Sequence, residues 1–188
     1  MIIVGMDEVG RGCWAGPVMV GAVILADPID GLRDSKQLSV KSREKFATLI
    51  RSTALASAIG EASPGEVDEF GLTEALCLAY QRALDGILVS FDEIIIDGNY
   101  NFLRGLPNVR TIIKADALEP AVSAASIIAK VTRDHLMGEM DQKYPGYGFA
   151  RHVGYGTAAH QAVLQQLGIC ELHRRSFAPI RRISEMAA

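Results

Sequence analysis

The sequence predicts an α/β protein in which helices flank a mixed β-sheet. The order of the predicted elements supports this class, and the composition and length support a single soluble domain. The first part of the chain contains two or three strand-like segments and a helix, and the second part alternates strands with helices. The composition, with 49% apolar and 22% charged residues, is that of a soluble globular protein. A length of 188 residues is sufficient for one domain with a buried core, so we expect a single domain over residues 1–188.

The amino-terminal segments predict the first strands. "MIIVGM" and, from Gly16, "GPVMVGAVILA" are apolar runs joined by a glycine-rich turn, which is typical of a hairpin. A helix is predicted in "LSVKSREKFATLI", with Ser39 as its N-cap and Phe46, Leu49 and Ile50 on one face. The small residues of "TALASAIGEA" indicate a third strand.

The central part of the chain begins with a helix start. "SPGE" combines Ser63 as N-cap, a proline at the first helical position and Glu66 at the capping-box position. An interruption of this helix is expected near Gly71. The apolar segment "FDEIIIDG" then predicts a buried strand that ends at Asp97, and "VRTIIKAD" predicts a second one that ends near Asp116.

The strongest helical pattern lies in the last third of the chain. "PAVSAASIIAKVTRDHLMGEM", opened by Pro120, is rich in small residues that permit close packing. A glycine- and tyrosine-rich loop, "YPGYGFARHVGYGT", leads into another helix from Thr157 to about Gly168. The chain contains no repeat, low-complexity segment or linker that would divide it into two domains.

The net charge of −3 is divided unevenly along the chain. Residues 1–100 carry 8 Lys or Arg and 15 Asp or Glu, whereas residues 101–188 carry 11 and 7. A basic half beside an acidic half suits an anionic partner held next to a bound cation. Random scatter of surface charge would produce the same numbers, so this pattern alone leaves the partner open.

Cysteine usage and hydropathy exclude several classes of protein. Cys13, Cys77 and Cys170 form no CxxC pair, so neither a zinc site nor a disulfide framework is expected. A reducing cytoplasm is the simplest interpretation, and we expect a cytoplasmic protein. The longest apolar run is too short to span a bilayer and no signal peptide is recognisable, so no membrane association is expected.

Three carboxylates occupy similar positions in the predicted strands. Asp7, Asp97 and Asp116 each follow the end of an apolar segment. Because the ends of neighbouring strands converge at one edge of an open sheet, these side chains can meet. Unneutralised carboxylates that meet must take up a proton, whereas Mg²⁺ or Mn²⁺ would stabilise them as anions. Two such ions ~3.5–4 Å apart can support phosphodiester cleavage.

Two points leave this metal site open at the level of the sequence. Adjacent strand residues point to opposite faces, so Glu8 can join Asp7 only if the strand ends or twists there. Each carboxylate taken alone is equally compatible with a role as a turn residue or helix cap.

Other chemistries match the sequence less well. There is no GxxxxGK[ST] loop, and "GRGCWA" fits a loose dinucleotide fingerprint that should open a helix, whereas a strand follows it here. The four histidines lack HExxH spacing, and no GxSxG segment marks a nucleophilic serine. A Ser-His-Asp hydrolase would therefore have to be assembled from unmarked residues.

Seven short segments occur in a fixed order between Gly5 and about Ile180. They are "GMDEVGRGCWAGP", "DSKQLS", "IDGN", "KADA", "SAASIIAKVTRD", "YPGYGFARHVGYGT" and "RRSFAPI". In this order they resemble the motifs of the bacterial ribonuclease HII family, the type 2 ribonucleases H. The resemblance implies a ribonuclease H-like fold, with a mixed five-stranded sheet and helices around it.

The resemblance also implies an activity and its metal-binding residues. The activity is endonucleolytic cleavage of RNA in RNA–DNA hybrids, including a single ribonucleotide embedded in duplex DNA, and it leaves 5′-phosphate and 3′-hydroxyl ends. Such an enzyme serves ribonucleotide excision in DNA replication and repair. The metal-binding catalytic acids would be Asp7 and Glu8 of "MDE", Asp97 of "IDG" and Asp116 of "KAD". They would bind Mg²⁺ or Mn²⁺ in a two-ion site.

The same resemblance implies five substrate-binding residues. Gly10, Arg11 and Gly12 would contact the minor groove near the 2′-hydroxyl, Lys36 would contact a phosphate, and Tyr155 would recognise the sugar. The residues alone permit other roles: Arg11 can pair with an acid, Lys36 can be an ordinary surface lysine, and Tyr155 can pack on the core.

Some features depart from the family pattern. Leu118, followed by Glu119, stands where some relatives have a lysine two residues after the last acid, so one phosphate contact is expected to be missing. The carboxy-terminal extension is short, so binding is expected to rely on the core domain. Nothing in the sequence demands more than a monomer.

Two other functions remain as alternatives at this level. One is a catalytically silent RNA–DNA hybrid-binding protein of the same fold, which would gain nothing from clustered acids near phosphates. The other is a small-molecule phosphohydrolase that uses the same cation, which would have no use for the basic half of the chain.

Overall fold

A computed structural model of the chain describes residues 1–32 and 38–186, and a five-stranded sheet lies at its centre. The strands are β1 (Ile3–Val9), β2 (Val18–Ile24), β3 (Ala56–Ala62), β4 (Glu93–Asp97) and β5 (Val109–Ile112). The α-helices are α1 (Val40–Thr53), α2 (Pro64–Phe70), α3 (Leu72–Asp85), α4 (Pro120–Lys143), α5 (Phe149–His152), α6 (Ala158–Leu167) and α7 (Ala178–Met186). None of these helices combines the length and the apolar character that crossing a membrane requires.

The sheet is mixed, as the sequence predicts, and β1 is its middle strand. The spatial order is β3-β2-β1-β4-β5. Strand β1 pairs antiparallel with β2, which confirms the predicted hairpin, and parallel with β4. The parallel pairing of β1 with β4 therefore brings the backbones of Asp7 and Asp97 close together, since Met6 is in register with Ile96.

The predicted helix starts are confirmed by their caps. Ser39 accepts a hydrogen bond from the Ser42 N–H at the start of α1. Ser63 and Glu66 form the reciprocal capping box of α2, and Gly71, with φ +81°, separates α2 from α3. The predicted face of α1 is wrong in one residue, because Leu49 is exposed while Ile50 is buried.

Three parts of the carboxy-terminal half differ from the sequence-based prediction. Strand β5 ends at Ile112, so Asp116 lies beyond it, in a one-turn 3₁₀ helix over Ala115–Ala117. The turn is made by Lys114, which adopts a left-handed conformation with φ 60°. The predicted glycine-rich loop contains the short helix α5, and α7 was not predicted.

Glycines in the sheet determine how closely the helices approach it. A Cβ on Gly21 of β2 would lie 2.3 Å from the Ala125 carbonyl oxygen of α4, and one on Gly60 of β3 would lie 2.1 Å from the Ala79 carbonyl oxygen of α3. Helix α4 therefore packs directly on the backbone of one face of the sheet, and α3 on the other. This close packing holds both helices beside the end of β1, where the acids lie.

The Gly21→Ala substitution tests this close approach. We expect it to lower the free energy of unfolding by about 3 kcal/mol, because the added methyl group overlaps with α4 backbone that cannot move without displacing the helix. The matched control is Gly138→Ala. Gly138 lies within α4, and a Cβ there would meet open space. This control should raise stability by about 0.5–1 kcal/mol through helix propensity. Urea unfolding measures both, and a Gly21→Ala protein of unchanged stability would contradict the packing.

Candidate active site

The acids at the end of β1 point to the two faces of the sheet. Asp7 is buried against α4, where its carboxylate has a hydrogen bond with the Ser126 side chain. Glu8, the next residue, lies on the α3 face, where the Tyr80 hydroxyl donates to its Oε2 at 2.5 Å. Strand β1 continues to Val9, so neither acid follows a strand end, and the alternation of a regular strand is kept.

The other two acids lie at the same edge of the sheet. Asp97 is the last residue of β4, as predicted. Its Oδ1 accepts a hydrogen bond from the Ala115 N–H at 2.8 Å, which ties the 3₁₀ turn that carries Asp116 to the end of β4. Asp116 is itself buried, and its carbonyl accepts a hydrogen bond from the Ser123 hydroxyl of α4 at 2.8 Å.

Burial and neighbouring charge act together on Asp7. Burial in the protein raises the pKa of Asp7 to about 7, and the negative charges of Glu8 and Asp97 add to this increase. Hydrogen bonds from Ser126 and from the Glu8 N–H oppose it. The pKa of Tyr80 is also raised, by burial and then by the charges of Glu8 and Asp7. Asp7, Glu8 and Asp97 therefore lie within electrostatic range of one another.

The candidate ligands fit a divalent cation in their chemistry but are not gathered around one point. Within residues 1–32 and 38–186, no three His, Cys, Asp or Glu side chains are close enough together to form a metal-binding group. The Glu8 and Asp97 carboxylates are turned instead towards Tyr80 and the Ala115 N–H. The chemistry of the donor set nevertheless fits, because all candidate ligands are carboxylates and the ionised form of Asp7 would be stabilised by a nearby cation.

Acids and predicted substrate-binding residues line one cavity. Its volume is about 230 Å³. The lining residues are Asp7, Glu8, Val9, Gly10, Arg11, Gly12, Arg43, Ser126, Lys130 and Tyr155. The structure thus brings together two of the four predicted acids, the whole glycine-arginine-glycine turn and the predicted sugar-binding tyrosine. Lys36 lies outside the described residues.

The two glycines of the turn differ in what they do for the fold. Gly10 has φ +85°, and a Cβ there would lie 2.4 Å from Nε of the buried Arg133. Gly12 has no such requirement, since it is absent from the positive-φ glycines and a Cβ there would meet no protein atom within 4 Å. The fold therefore requires glycine at position 10, whereas no contact among the described residues requires it at position 12.

Arg11 is largely exposed and lies beside the acids. Its Nη1 is 3.4 Å from Glu8 Oε1, so the internal salt bridge that the sequence permitted is present. Because 58% of the Arg11 side chain is accessible, this pair contributes little to stability. Both roles considered for this residue are therefore compatible with its position.

Tyr155 is presented by a loop that is docked on the turn after β1. The Gly154 carbonyl accepts a hydrogen bond from the Trp14 N–H at 2.8 Å. A Cβ on Gly154 would lie 2.2 Å from the Ala15 carbonyl oxygen, and one on Gly156 would overlap with the Trp14 ring. The flanking glycines thus allow the loop to contact the turn, while 41% of Tyr155 remains exposed at the cavity, with its hydroxyl beside the Cys13 thiol.

Sequence reasoning missed several residues that shape this site. Tyr80 of α3 donates to the Glu8 carboxylate and Ser126 of α4 is hydrogen-bonded to that of Asp7, and neither was singled out as a site residue from the sequence. Lys130, which also lines the cavity, forms an ion pair with Asp134 at 2.7 Å. For Ser126 and Lys130 the sequence does contain a signal: they are four residues apart, about one helical turn, and so share a face of α4.

A central strand that carries Asp7 and Glu8 next to its last residue, in a mixed five-stranded sheet with helices on both faces, is the arrangement of the ribonuclease H-like class of nucleases. The family model described as Ribonuclease HII matches residues 4–180. Ribonuclease HII of Halorhodospira halophila is 50% identical over 96% of this chain and 94% of its own. The chain therefore belongs to the ribonuclease HII family, and it is a ribonuclease H, an endoribonuclease that hydrolyses phosphodiesters.

Solved structures agree with this assignment. The ribonuclease H2 from Pyrococcus horikoshii OT3 superposes with a TM-score of 0.82 at 29% identity, over 99% of this chain and 98% of its own. The Bst-RNase HIII, solved in complex with Mn²⁺, superposes with a TM-score of 0.73 over 100% of this chain and 70% of its own. Its 22% identity supports the fold alone. The predicted fold class is thereby confirmed.

The Asp7→Asn substitution is expected to stabilise the metal-free protein above pH 7. The folded-state pKa of Asp7, about 7, lies above its ordinary value of 3.8, so the folded protein holds a proton that the unfolded chain has already lost. Its contribution to stability is fully present below pH 4 and is lost as the pH rises through 7. The advantage of asparagine should therefore grow from pH 4 to about pH 8, where it should be on the order of 4 kcal/mol.

Urea unfolding in EDTA at pH 5 and pH 8 measures this difference. The exposed Asp27→Asn is the matched control for loss of a negative charge. An asparagine variant that gained less at pH 8 than at pH 5 would show that Asp7 is not the strained anion described above.

Proposed function

We propose that this protein is a divalent-metal-dependent ribonuclease H that cleaves the RNA strand of RNA–DNA hybrids and also cleaves at single ribonucleotides embedded in duplex DNA. Water would attack the phosphorus atom, and the bond from phosphorus to the 3′-oxygen would break. The products would carry a 5′-phosphate and a 3′-hydroxyl, with cleavage on the 5′ side of a lone ribonucleotide.

One observation carries this proposal: two of the predicted acids, Asp7 and Glu8, line the same cavity as four of the predicted substrate-binding residues, Gly10, Arg11, Gly12 and Tyr155. The cavity is small, about 230 Å³, which suits the sugar and phosphate of one nucleotide better than an entire base pair. A scissile phosphate at the acids would therefore place its ribose beside Tyr155.

Cations around the cavity suit an anionic backbone. Arg11, Arg43 and Lys130 all line it. Arg43 donates from Nη1 to the Leu38 carbonyl at 3.0 Å, and Lys130 pairs with Asp134, so both side chains are held in place. Charge-assisted hydrogen bonds from such groups to phosphate oxygens are roughly twice as strong as neutral ones. These residues would position the strand, since phosphate contacts carry no sequence information.

Recognition of RNA would depend on the ribose 2′-hydroxyl, which both donates and accepts hydrogen bonds. The exposed Tyr155 offers a flat ring for the sugar and a hydroxyl for pairing. The backbone at Gly12 is open to an approaching ligand because no protein atom covers it. Together they would contact the sugar from two sides.

Asp7, Glu8, Asp97 and Asp116 would hold Mg²⁺ or Mn²⁺, two ions being the expected number. When bound, the metal supplies activation of the attacking water and stabilisation of the leaving oxygen. The protein residues contribute the rest. Ser126 and the Glu8 N–H orient the Asp7 carboxylate, and Tyr80 fixes that of Glu8 on the opposite face of the sheet. We further propose that one chain of residues 1–188 acts as a monomer on its duplex.

The alternatives considered from the sequence are less favoured. A silent hybrid-binding protein would not require a buried aspartate whose ionised form is strained, and the family is one of enzymes. A small-molecule phosphohydrolase would not require an open turn at Gly12 or an exposed tyrosine at the rim of the site.

The acids are tested by conversion to amides. Asp7→Asn is expected to reduce cleavage of a duplex with one ribonucleotide by at least about 10²-fold, because a neutral amide is a poor ligand for a hard cation. Asp97→Asn should behave in the same way, and Asp116→Asn should be partly rescued by Mn²⁺. Substrate affinity should survive, since less negative charge eases the approach of phosphates. Turnover of Asp7→Asn at the wild-type rate in saturating Mg²⁺ would refute the assignment.

Gly12→Ala tests whether the turn contacts the substrate. We expect KM for the ribonucleotide-containing duplex to rise about tenfold, the scale of one lost hydrogen bond to a desolvated group, with thermal stability unchanged. The control Gly138→Ala, also at an uncovered position, should keep the wild-type KM. An unaltered KM in Gly12→Ala would place the substrate elsewhere.

Tyr155 is tested by two substitutions of different size. Tyr155→Phe removes only the hydroxyl and should lower kcat/KM about threefold to tenfold. Tyr155→Ala also removes the ring and should lower it by roughly a further tenfold, with stability and metal binding nearly unchanged. An all-DNA duplex should remain uncut throughout. Full activity per folded molecule in Tyr155→Ala, combined with a large loss of stability, would assign the ring to core packing.

A further inference from the structure

A cluster of three buried histidines lies behind the loop that carries Tyr155. His152 and His160 stack with ring centroids 4.1 Å apart, and His160 is followed by His173 at 5.2 Å. All three rings pack around the buried Phe149. None of them lines the cavity, and the chemistry proposed above makes no use of them. Three polar rings in a core are unusual, because each buried ring nitrogen costs free energy unless it forms a hydrogen bond.

The hydrogen bonds of this cluster run in one direction. His160 Nδ1 lies 2.9 Å from the Tyr155 carbonyl oxygen, which can only accept, so Nδ1 carries the proton. His160 Nε2 is then an acceptor, and it lies 3.0 Å from His173 Nε2, which must therefore be the donor. His173 Nδ1 is left as an acceptor, and the Cys170 N–H donates to it at 2.9 Å.

Both rings of this chain of bonds are neutral at physiological pH. Burial lowers the pKa of His160 and of His173 to about 4. A proton added to His160 Nε2 would place two N–H groups against each other across the 3.0 Å contact, and one added to His173 Nδ1 would face the Cys170 N–H at 2.9 Å. The assigned tautomers are thus the pair that satisfies all three bonds.

The same segment of chain also holds the turn after β1. Arg174, the residue after His173, donates from Nη1 to the Arg11 carbonyl at 3.0 Å and from Nε and Nη2 to the Gly16 carbonyl at 3.0 and 2.8 Å. His173 itself forms a backbone bridge with Ala15. Residues 170–174 therefore contact both walls of the cavity: the turn through Arg174, and the Tyr155 loop through His173 and His160.

We propose that His173 and His160 are positioning residues which, through this directed chain of hydrogen bonds, set the place of Tyr155 relative to the glycine-arginine-glycine turn. This series of hydrogen bonds adds the His160 side chain as a second donor to the Tyr155 carbonyl, which also accepts from the Thr157 N–H at 2.8 Å. This inference rests on the proposed role of Tyr155 in sugar recognition. It assigns to two core histidines an effect on RNA selectivity that they exert without touching the substrate.

A matched pair of substitutions separates this role from simple packing. In His173→Gln the longer side chain can present an N–H where Nε2 was and still donate to His160. In His173→Asn the shorter one can accept from the Cys170 N–H but cannot reach His160. We expect His173→Asn to lower kcat/KM on a duplex with one ribonucleotide about tenfold, the effect of one lost buried hydrogen bond, while His173→Gln stays within about threefold of the wild type.

A double-mutant cycle with Tyr155→Ala makes the test specific. Without the tyrosine ring, His173→Asn and His173→Gln should have the same kcat/KM per folded molecule, because the proposed effect acts only through that ring. Equal activity of the two variants with Tyr155 present would overturn the proposal. So would an effect of His173→Asn that persists unchanged in the Tyr155→Ala protein, and that outcome would leave the proposed function intact.

Failure of the proposed function has a different signature. Full activity of the Tyr155→Ala single variant would refute sugar recognition by Tyr155, and the positioning role with it. Should either His173 variant fail to fold, ¹⁵N spectra of the wild-type imidazole rings supply an independent test. Protonated Nδ1 on His160 together with protonated Nε2 on His173 is the expected result, and the opposite tautomer on either ring would overturn the proposal.

Discussion

Two buried guanidinium groups hold the turn on which the rest of the site depends. Arg133 of α4 donates to the carbonyls of Pro17, Val153 and Ala15 at 2.8–3.0 Å. Arg174 donates three further bonds to carbonyls of the same turn. A buried charge is stabilised only when its donors are satisfied, so both side chains constrain these carbonyls strongly. Burial lowers the pKa of Arg174 to about 10, which still leaves it charged at neutral pH.

This arrangement explains how a flexible, glycine-rich segment can serve as one wall of an active site. Residues 10–17 contain little regular structure, yet their carbonyls are fixed from α4 on one side and from the segment around Arg174 on the other. The guanidinium of Arg133 that binds the turn also donates to the Val153 carbonyl, so it connects the Tyr155 loop to the turn. The two loops that line the cavity are thus connected to each other through buried cations.

The acids obey a different constraint, which is the alternation of β1. Asp7 and Glu8 lie on opposite faces, so each is supported by a different helix: Asp7 by Ser126 of α4 and Glu8 by Tyr80 of α3. Pairing with β2 continues to Val9, whereas the register with β4 ends at Met6. The acids therefore stand where β1 extends past its parallel neighbour, and they line the cavity there although they lie within a strand.

Local patterns were enough to predict much of this protein. The caps at Ser39 and Ser63, the hairpin of β1 and β2 and the strand that ends at Asp97 depend on residues near in sequence, and the ordered motifs indicated the family. The extent of β1, the raised pKa of Asp7 and the supporting roles of Tyr80 and Ser126 were not predictable. They depend on contacts between distant segments: Tyr80 is 72 residues from Glu8, Arg133 is 116 from Pro17, and Arg174 is 163 from Arg11. Burial and electrostatic range arise only when the folded chain brings such segments together.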